Sequence, residues 1–387
     1  MGMNLYQIHD LAPIPSAVSI GRIPRDRLMT EAAVAVQDSD RANSFMRLFT
    51  LFQSAGMSEL ALEMHERALE QRRVYRLQGA AHPTIRLLAL MGPRPEIDNS
   101  PLEYLVDETD IELTLYYPDY SQPMSGPIPD HDIAMISLGE SQFGAPLLSY
   151  LDDFVQHWPR PIINRPSNIL NCARDRLTSL FSDCDGLLVP NTRRISRDDL
   201  AVLSFPFLIR PLDSHGGKGF EKMDSVSMLR DYGALNTENE FYVSDFIDYR
   251  SGDGLYRKYR IVLMDKLPYL CHMAITDHWM VHYMAAGMEL SAEKRAEEET
   301  AFATFAEDFA QRHKAALSTI ADRLNLDYVV IDCGEMPDGR LVLFEADNRA
   351  WVHSVDPPEI FPYKAGAMKK VFEAFRALVV SRHLAGR

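Results

Sequence analysis

Residues 328–349 read YVVIDCGEMPDGRLVLFEADNR, and this stretch decides the fold. Two apolar runs flank the turn residues Pro337-Asp338-Gly339, a pattern typical of an antiparallel β-hairpin. Asp332 lies at the end of the first run, and Glu345 and Asp347 lie at the end of the second. Because Glu345 and Asp347 are two residues apart, their side chains share one face of the strand. The hairpin therefore predicts that three carboxylates lie close together.

Three neighbouring carboxylates repel one another unless a cation lies between them. Carboxylate oxygens suit Mg²⁺, with Mn²⁺ as an alternative. Three solvated carboxylates beside a turn are the other interpretation. The apolar strands that precede them favour a half-buried site, so we predict that Asp332, Glu345 and Asp347 are metal ligands.

A glycine-rich segment lies upstream, where residues 210–220 read RPLDSHGGKGF after an apolar run. Glycines let backbone N–H groups wrap around an anion, and a lysine beside them adds a point charge for phosphate. The spacing is neither that of a Walker A loop nor that of a Rossmann fingerprint. The segment predicts a phosphate-binding loop, and a flexible hairpin tip is the alternative.

Three arginines occupy predicted helix and strand positions. Arg176 lies in a predicted helix over residues 167–181, Arg210 ends a strand, and Arg260 lies inside the apolar strand 259–264. A charged residue within an apolar strand usually has a partner. Phosphate and an internal salt bridge are both open as that partner.

The order of these features over residues 160–352 resembles the ATP-grasp superfamily. A basic helix residue, a strand ending in Arg-Pro, a glycine-rich loop and an apolar hinge strand precede the acidic hairpin. The resemblance implies an α/β (α+β) fold of the ATP-grasp type. It also implies a Mg-ATP-dependent ligase that activates a carboxylate as an acyl phosphate and couples it to an amine. A small-molecule kinase and a non-catalytic ATP-binding scaffold are the alternatives.

The resemblance also implies a role for each matching position. Arg176 and Arg210 would hold the nucleotide phosphates, and Arg260 would face the γ-phosphate or the acyl phosphate, with Arg349 beside the acyl acceptor. The flap and the adenine hinge would consist of Ser214, Gly216, Gly217, Lys218, Gly219, Val243, Ser244, Asp245, Phe246 and Ile247.

This chain departs from the family pattern at three places. Arginines replace the usual phosphate-binding lysines, which keeps the charge but changes its geometry. Asp347 stands where the family has Asn, so either Asp347 or Asn348 takes that role. Lys258 stands where an acidic residue holds the ribose, and Asp248 or Asp253 is the substitute.

Substrate contacts are expected from residues outside the shared frame: His272, His282, Asn348 and His353. His278 and His282 are four residues apart, which also fits a zinc pair on a helix. Ordinary partly buried histidines are a further alternative. Arg349 is suited to hold a carboxylate through two parallel hydrogen bonds.

The chain divides into three predicted parts. Residues 1–80 form an arm and a helical hairpin that resembles a single tetratricopeptide repeat, which either packs on the protein, forms a dimer contact or binds a peptide. Residues 81–165 form a parallel α/β layer. Residues 166–387 form the ATP-grasp domain, with subdomains at about 166–240 and 241–387. Within it, the apolar period predicts one long helix over residues 292–324.

Composition excludes several classes of protein. The 387 residues carry a net charge of −15, which disfavours a nucleic-acid partner. The four cysteines are scattered, so neither a disulfide framework nor a structural zinc site is expected. Residues 1–20 lack the pattern of a signal peptide, and no apolar run reaches about 18 residues. We therefore expect a cytoplasmic protein with small-molecule or peptide substrates and no membrane partner; a homodimer is left open.

Overall fold

The computed structural model describes residues 4–8, 10–79, 82–94, 98–121, 127–214 and 216–386, with the backbone alone for residue 201. His215 of the predicted phosphate loop and residues 1–3 of the predicted arm lie outside these ranges. The strands are β1 Leu5–Tyr6, β2 Val74–Arg76, β3 Ile85–Leu90, β4 Ile111–Tyr116, β5 Ile128–Pro129, β6 Ile133–Ile136, β7 Ile162–Ile163, β8 Leu187–Leu188, β9 Thr192–Ser196, β10 Phe207–Pro211, β11 Glu221–Met223, β12 Glu240–Asp245, β13 Tyr256–Met264, β14 Leu267–Thr276, β15 Tyr328–Glu335 and β16 Leu341–Asp347.

The α-helices are α1 Ala17–Gly21, α2 Leu28–Val36, α3 Arg41–Ser54, α4 Ser58–Gln71, α5 Leu102–Val106, α6 Gly144–Val155, α7 Pro166–Ile169, α8 Arg174–Leu180, α9 Val226–Leu235, α10 Ala292–Thr304, α11 Phe309–Arg312, α12 Lys314–Leu324 and α13 Lys364–Ala385. Short 3₁₀ helices lie at Arg25–Arg27, Leu170–Cys172, Arg197–Val202, Tyr283–Ala285 and Met288–Leu290. Within the described residues, no helix combines the length and apolar character that crossing a membrane requires.

The N-terminal sheet has the strand order β2-β4-β3-β6-β7. Strands β3, β4, β6 and β7 are parallel, and β2 joins the edge in the antiparallel direction. Continuous apolar runs suit this position because both faces are covered. On β3, Leu88 and Leu90 face one hydrophobic core while Leu87 and Ala89 face another. The predicted parallel α/β layer is confirmed.

Helices α3 and α4 form the predicted hairpin. Asp40 caps α3 by accepting a hydrogen bond from the Asn43 N–H at 3.1 Å, and Gly56 provides the positive φ of 78° at the turn. Ala61 and Ala68 are buried, and Ala68 accepts a hydrogen bond from the Tyr75 hydroxyl at 2.7 Å. The hairpin therefore packs on the N-terminal sheet, and its likeness to a tetratricopeptide repeat stays a prediction.

Two further sheets form the rest of the molecule. The small sheet has the order β11-β10-β12-β9 and is antiparallel, with its own core around Ile209 and Phe241. The large sheet has the order β14-β13-β15-β16-β8. Strands β15 and β16 form the predicted hairpin, and its turn contains Gly339 at a φ of 87°. Strand β12 belongs to the small sheet, so this sheet extends past the predicted subdomain division at about residue 240.

The single long helix predicted over residues 292–324 is wrong, because the chain forms α10, α11 and α12 instead. The Ala310 N–H donates to the Phe305 carbonyl five residues back, which makes a wide turn between α10 and α11. Phe305 and Phe309 remain stacked at 5.9 Å, and Phe309 packs on Tyr259. The apolar period continues across the turn, so the pattern alone does not reveal the break.

Asn164 joins the N-terminal layer to the start of β15. Its side-chain amide donates to the Tyr328 carbonyl at 2.8 Å, and its Oδ1 accepts from the Tyr328 N–H at 3.0 Å. The Asn164 N–H donates to Asp327 at 2.9 Å. The Asn164 side chain thus connects β7 of the N-terminal sheet to the backbone of Tyr328, the first residue of β15.

Candidate functional site

A cleft with a cavity of about 220 Å³ lies between the small sheet and the large sheet. Its walls come from β10, from the end of β12 and the residues after it, from β16, and from the segment after β14. Apolar and aromatic side chains form one group in its lining, here called the apolar half: Leu208, Phe220, Phe246, Ile247, Trp279, Val281 and Phe344. Charged side chains form a second group, here called the charged half: Arg174, Arg210, Lys258, Arg260, Asp332 and Glu345. The two groups touch, since the Arg210 guanidinium lies 5.1 Å from the centre of the Phe220 ring. The lining therefore offers both the apolar surface and the charged groups that a flat apolar ring joined to a charged group requires.

The β-hairpin brings Asp332 opposite Glu345, with a register irregularity between Asp332 and Cys333. Asp332 is buried and accepts hydrogen bonds from the Arg260 Nε at 2.8 Å and the Lys258 Nζ at 3.0 Å. Burial would raise the pKa of Asp332, but Arg260 and Lys258 outweigh it and hold the pKa well below its usual range. Asp332 is therefore a carboxylate held between two cations.

Glu345 and Asp347 are also paired with arginines. Arg174 donates to Glu345, and burial is outweighed by the charges of Arg174 and Arg210, so the pKa of Glu345 falls to about 2. Asp347 accepts from the backbone N–H of Arg349 at 2.8 Å and from its Nε at 3.0 Å. All three predicted metal ligands are thus balanced by cationic side chains.

Arg210 differs from these arginines because it is in direct contact with no carboxylate among the described residues, although the charge of Glu345 acts on it. Its guanidinium donates to the Ser214 hydroxyl at 3.0 Å and to the Ser214 carbonyl. Among the described residues, no carboxylate oxygen lies within 4.0 Å of it. Burial, and then the charge of Arg174, lower the pKa of Arg210 to about 9. A half-buried cation beside a second cation favours an anion in this part of the cleft.

The predicted helix over residues 167–181 is broken, and this changes which arginine enters the cleft. Ala173 is extended, with φ −57° and ψ 132°, so α8 begins at Arg174. Residues two apart in a helix point about 200° apart. Arg176 is exposed and donates to the Leu170 carbonyl at 3.3 Å, while Arg174 lines the cleft. The phosphate role predicted for Arg176 is therefore suited to Arg174, which the sequence reasoning missed.

The predicted flap divides between two cavities. Gly216 and Gly217 line the cleft, and their positive φ values of 61° and 80° need glycine. Ser214, Lys218 and Gly219 line a separate cavity beside residues 236–240. The structure thus brings the two glycines, but not Lys218, to the cleft.

The predicted hinge lies where it was expected, with one exception. Ser244, Asp245, Phe246 and Ile247 line the cleft. Val243 is 2% exposed and packs in the core of the small sheet. Because β12 alternates its faces, Val243 and Ser244 point to opposite sides.

A larger cavity of about 890 Å³ continues beyond the carboxylates. Of the predicted substrate and catalytic residues, it is lined by Arg260, His272, His282, Arg349 and His353, and the three predicted metal ligands also line it. Strand β14, which the sequence reasoning missed, positions His272 opposite Arg260. The turn before β14 uses Asp265 and Lys266 at positive φ, so it lacks the glycine that signals a hairpin.

The three histidines of this cavity are held in the neutral form. Burial lowers the pKa of His272 well below its usual range, and His272 stacks on Tyr283 at 4.3 Å. Burial also lowers the pKa of His282 and brings that of His353 to about 4. Neutral imidazoles can accept a hydrogen bond from a substrate.

Asn348 lies outside this cavity. It is fully buried, and its side-chain amide donates to the Leu138 carbonyl at 3.2 Å. The Ser100 hydroxyl donates to the Asn348 carbonyl at 2.6 Å. Asn348 therefore joins the end of β16 to the N-terminal sheet, and neither the predicted substrate contact nor the alternative metal role fits its position.

The donor chemistry suits a divalent cation, since three carboxylates line one cavity. Within the part of the chain that the structure describes, no three side chains of the His, Cys, Asp or Glu type converge as a ready-made metal site. The zinc pair at His278 and His282 gains no support from this geometry. Asp332, Glu345 and Asp347 remain the residues that would hold Mg²⁺, once the paired cations turn to an incoming anion.

The two candidates for the ribose contact are already partnered. Asp248 accepts from Arg250 and from the Tyr256 hydroxyl, and Asp253 accepts from Arg257. Lys258 lies in the cleft and pairs with Asp332.

No family model and no curated protein sequence matches this chain. Its fold is similar to a "RimK domain protein ATP-grasp" from Sphaerobacter thermophilus, with 18% identity, 76% of this chain and 99% of that chain covered, and a TM-score of 0.45. It is also similar to a D-alanine–D-alanine ligase from Bacillus anthracis, solved with ATP, with 12% identity, 78% and 98% covered, and a TM-score of 0.46.

A further similar structure is the VanG D-Ala:D-Ser ligase from Enterococcus faecalis, with 14% identity, 77% of this chain and 100% of that chain covered, and a TM-score of 0.45. The likeness is one of mixed α/β fold. At these identities and TM-scores, the function has to be argued from the site itself.

Proposed function

We propose that this chain is a Mg-ATP-dependent ligase that activates a carboxylate as an acyl phosphate and couples it to an amine. The observation that carries the proposal is the position of Arg210, which has no carboxylate oxygen within 4.0 Å among the described residues. Arg210 lines the same cleft as the apolar and aromatic side chains. A nucleotide offers both an apolar ring and a chain of phosphates, so it matches both kinds of side chain.

The apolar half would hold the base between Phe246, Ile247 and Phe344. Aromatic and aliphatic side chains on both sides of a slot suit a flat ring. The residues after β12 would supply backbone hydrogen bonds to the edge of the ring. The phosphates of a nucleotide bound in this way would lie beside the charged half of the lining.

The charged half would bind the phosphates through Arg174, Arg210 and Lys258. Arg174 and Lys258 are now paired with Glu345 and Asp332. Bound Mg²⁺ would neutralise charge on the phosphate oxygens. Asp332 and Glu345 would hold the metal, and Arg174 and Lys258, their present partners, would then pair with the phosphates. The present ion pairs therefore keep both cations beside the proposed phosphate site.

The larger cavity would hold the two molecules to be joined. Arg260 lines both the cleft and this cavity, and Arg349 lines this cavity; both suit a substrate carboxylate. Glu289 and Asp356 line the same cavity. Asp356 already pairs with the Lys364 Nζ at 3.3 Å, so Glu289 is the carboxylate that suits an ammonium group. Carboxylate-binding and amine-binding side chains in one cavity support coupling of a carboxylate to an amine rather than phosphoryl transfer alone. The amine would belong to an amino acid, a peptide or a small metabolite.

The proposal is tested by incubating the purified protein with ATP, Mg²⁺ and a mixed panel of amino acids and dipeptides, followed by mass spectrometry. We expect ADP, phosphate and an amide product, all lost in Glu345→Gln. A phosphorylated product without an amide would identify the kinase alternative. Absence of nucleotide binding by the folded wild-type protein would overturn both enzymatic assignments.

A further inference from the structure

A separate cavity of about 490 Å³ lies beneath the helical hairpin. Residues of α1 and α3, the start of α5 and strand β4 form its walls. Four aromatic rings face it from different elements: Phe49, Tyr104, Tyr117 and Trp351. This cavity is distinct from the cleft, because its lining shares neither the hinge nor the metal-binding carboxylates.

Glu103 supplies a carboxylate within this aromatic lining. One of its oxygens accepts a hydrogen bond from the Ala17 N–H. Among the described residues, no Arg, Lys or His nitrogen lies within 4.0 Å of the Glu103 carboxylate. A half-buried carboxylate such as that of Glu103 loses part of its hydration, and without a cationic partner nothing compensates for the loss. Burial accordingly raises the pKa of Glu103 to about 7.

We propose that the cavity beneath the helical hairpin binds a small organic ammonium ion. The faces of aromatic rings attract cations, most strongly where water is excluded, and Glu103 completes the recognition with an opposite charge. Aromatic walls favour an alkylated or aryl ammonium over a hydrated metal ion, because they offer few oxygen ligands. The occupant is therefore a cation with apolar surface.

Trp351 connects this cavity to the rest of the molecule. Its ring lines both the hairpin cavity and the 890 Å³ cavity, and it lies 5.2 Å from the Tyr104 ring. Trp351 follows β16 by four residues, so an occupant of the hairpin cavity contacts the segment that leaves the predicted metal ligands. The binding proposal itself does not depend on the proposed ligase function.

The test is isothermal titration calorimetry of the full chain with two probes, choline and n-butylammonium, and with the uncharged carbon isostere of choline. The variants are Glu103→Gln, which can keep the Ala17 hydrogen bond, and Ser54→Trp, which fills the cavity without touching Glu103. Glu63→Gln is the matched control, since it removes a carboxylate from the same helical hairpin at a position outside the cavity. Circular dichroism verifies that each variant is folded.

We expect at least one probe to bind the wild-type protein and the carbon isostere to bind at least about tenfold more weakly than choline. Glu103→Gln and Ser54→Trp should each weaken the binding by about tenfold or more, and Glu63→Gln should leave it unchanged. If Glu103→Gln does not fold, Ser54→Trp decides. The proposal is overturned if neither probe binds, if the folded hairpin-cavity variants bind normally, or if Glu63→Gln weakens the binding as much as Glu103→Gln does.

Discussion

At the scale of single residues, Arg210 is the clearest test of the cleft. Replacing Arg210 with Gln removes the positive charge of the guanidinium but keeps a hydrogen-bond donor near Ser214. We predict that Arg210→Gln weakens ATP binding by about 10–100-fold, which corresponds to one charge-assisted hydrogen bond. Fluorescence or calorimetric titration with ATP measures this. Folding should not suffer, since a half-buried cation without a carboxylate partner contributes little stability.

Arg176→Gln is the matched control for this variant. It removes an exposed arginine from α8, whose first residue Arg174 lines the cleft. ATP affinity should change by less than about twofold, because the charge of Arg176 is exposed to solvent and is therefore screened by salt. If Arg176→Gln weakens ATP binding as strongly as Arg210→Gln does, then the position assigned to Arg176 is wrong.

Glu103 predicts a pH dependence of stability. Its pKa is raised by burial to about 7, so between about pH 4.5 and 7 the folded state binds more protons than the unfolded state. The contribution of Glu103 to the free energy of unfolding therefore falls as pH rises through this window, by at most about 3 kcal/mol. Urea unfolding at pH 5 and pH 8 measures the loss.

The Glu103→Gln variant should flatten that dependence, because its side chain carries no titrating proton. The measurements are made without added ammonium ions, so they are independent of the binding experiment. A wild-type protein and a variant with the same pH profile would show that Glu103 ionises in the folded state as it does in the unfolded chain.

At the scale of elements, the contact between β16 and the N-terminal sheet depends on Asn348. We predict that Asn348→Ala lowers the free energy of unfolding by about 1–3 kcal/mol, because the Leu138 carbonyl loses its donor in a buried place. Ser100→Ala should have an effect of the same sign, since it removes the bond to the Asn348 carbonyl. The double variant should lose less than the two losses added together.

A different combination of stability and kinetics in Asn348→Ala would support the substrate role that the sequence predicted for Asn348. That role requires unchanged stability together with a raised KM for one substrate. Denaturant unfolding and steady-state kinetics on the same protein samples separate the two outcomes.

The acidic hairpin and the parallel layer could be predicted from the sequence because their signals are local. Alternating or continuous apolar runs and a Pro-Asp-Gly turn fix the strands, and the register then brings Asp332 opposite Glu345. The turn before β14 has no such signal, since Asp265 and Lys266 adopt positive φ without a glycine. The helix break at Ala173 has no local sequence signal either. This break determines that Arg174, and not Arg176, lines the cleft.

At the scale of the whole molecule, a cleft residue could be predicted from the sequence only where the alternation of a strand and the order of the elements determine its position. The direction of Lys218 and the burial of Asn348 depend on how sheets and layers pack, which no short pattern encodes. An internal salt bridge was one of the two partners left open for Arg260, and the structure forms it with Asp332. The pairing of Glu345 with Arg174 and of Asp347 with Arg349 was not predicted. It follows from three carboxylates and several cations being folded into one cleft.

The central claim concerns the chemistry of the whole site, namely that ATP activates a carboxylate as an acyl phosphate. The most direct measurement uses the carboxylate substrate found by mass spectrometry, labelled with ¹⁸O in its carboxyl group. We predict that one ¹⁸O atom appears in the released inorganic phosphate, because the acyl phosphate passes an oxygen to phosphate when the amine attacks. Label found in AMP, or phosphate without label beside a phosphorylated product, would contradict the account.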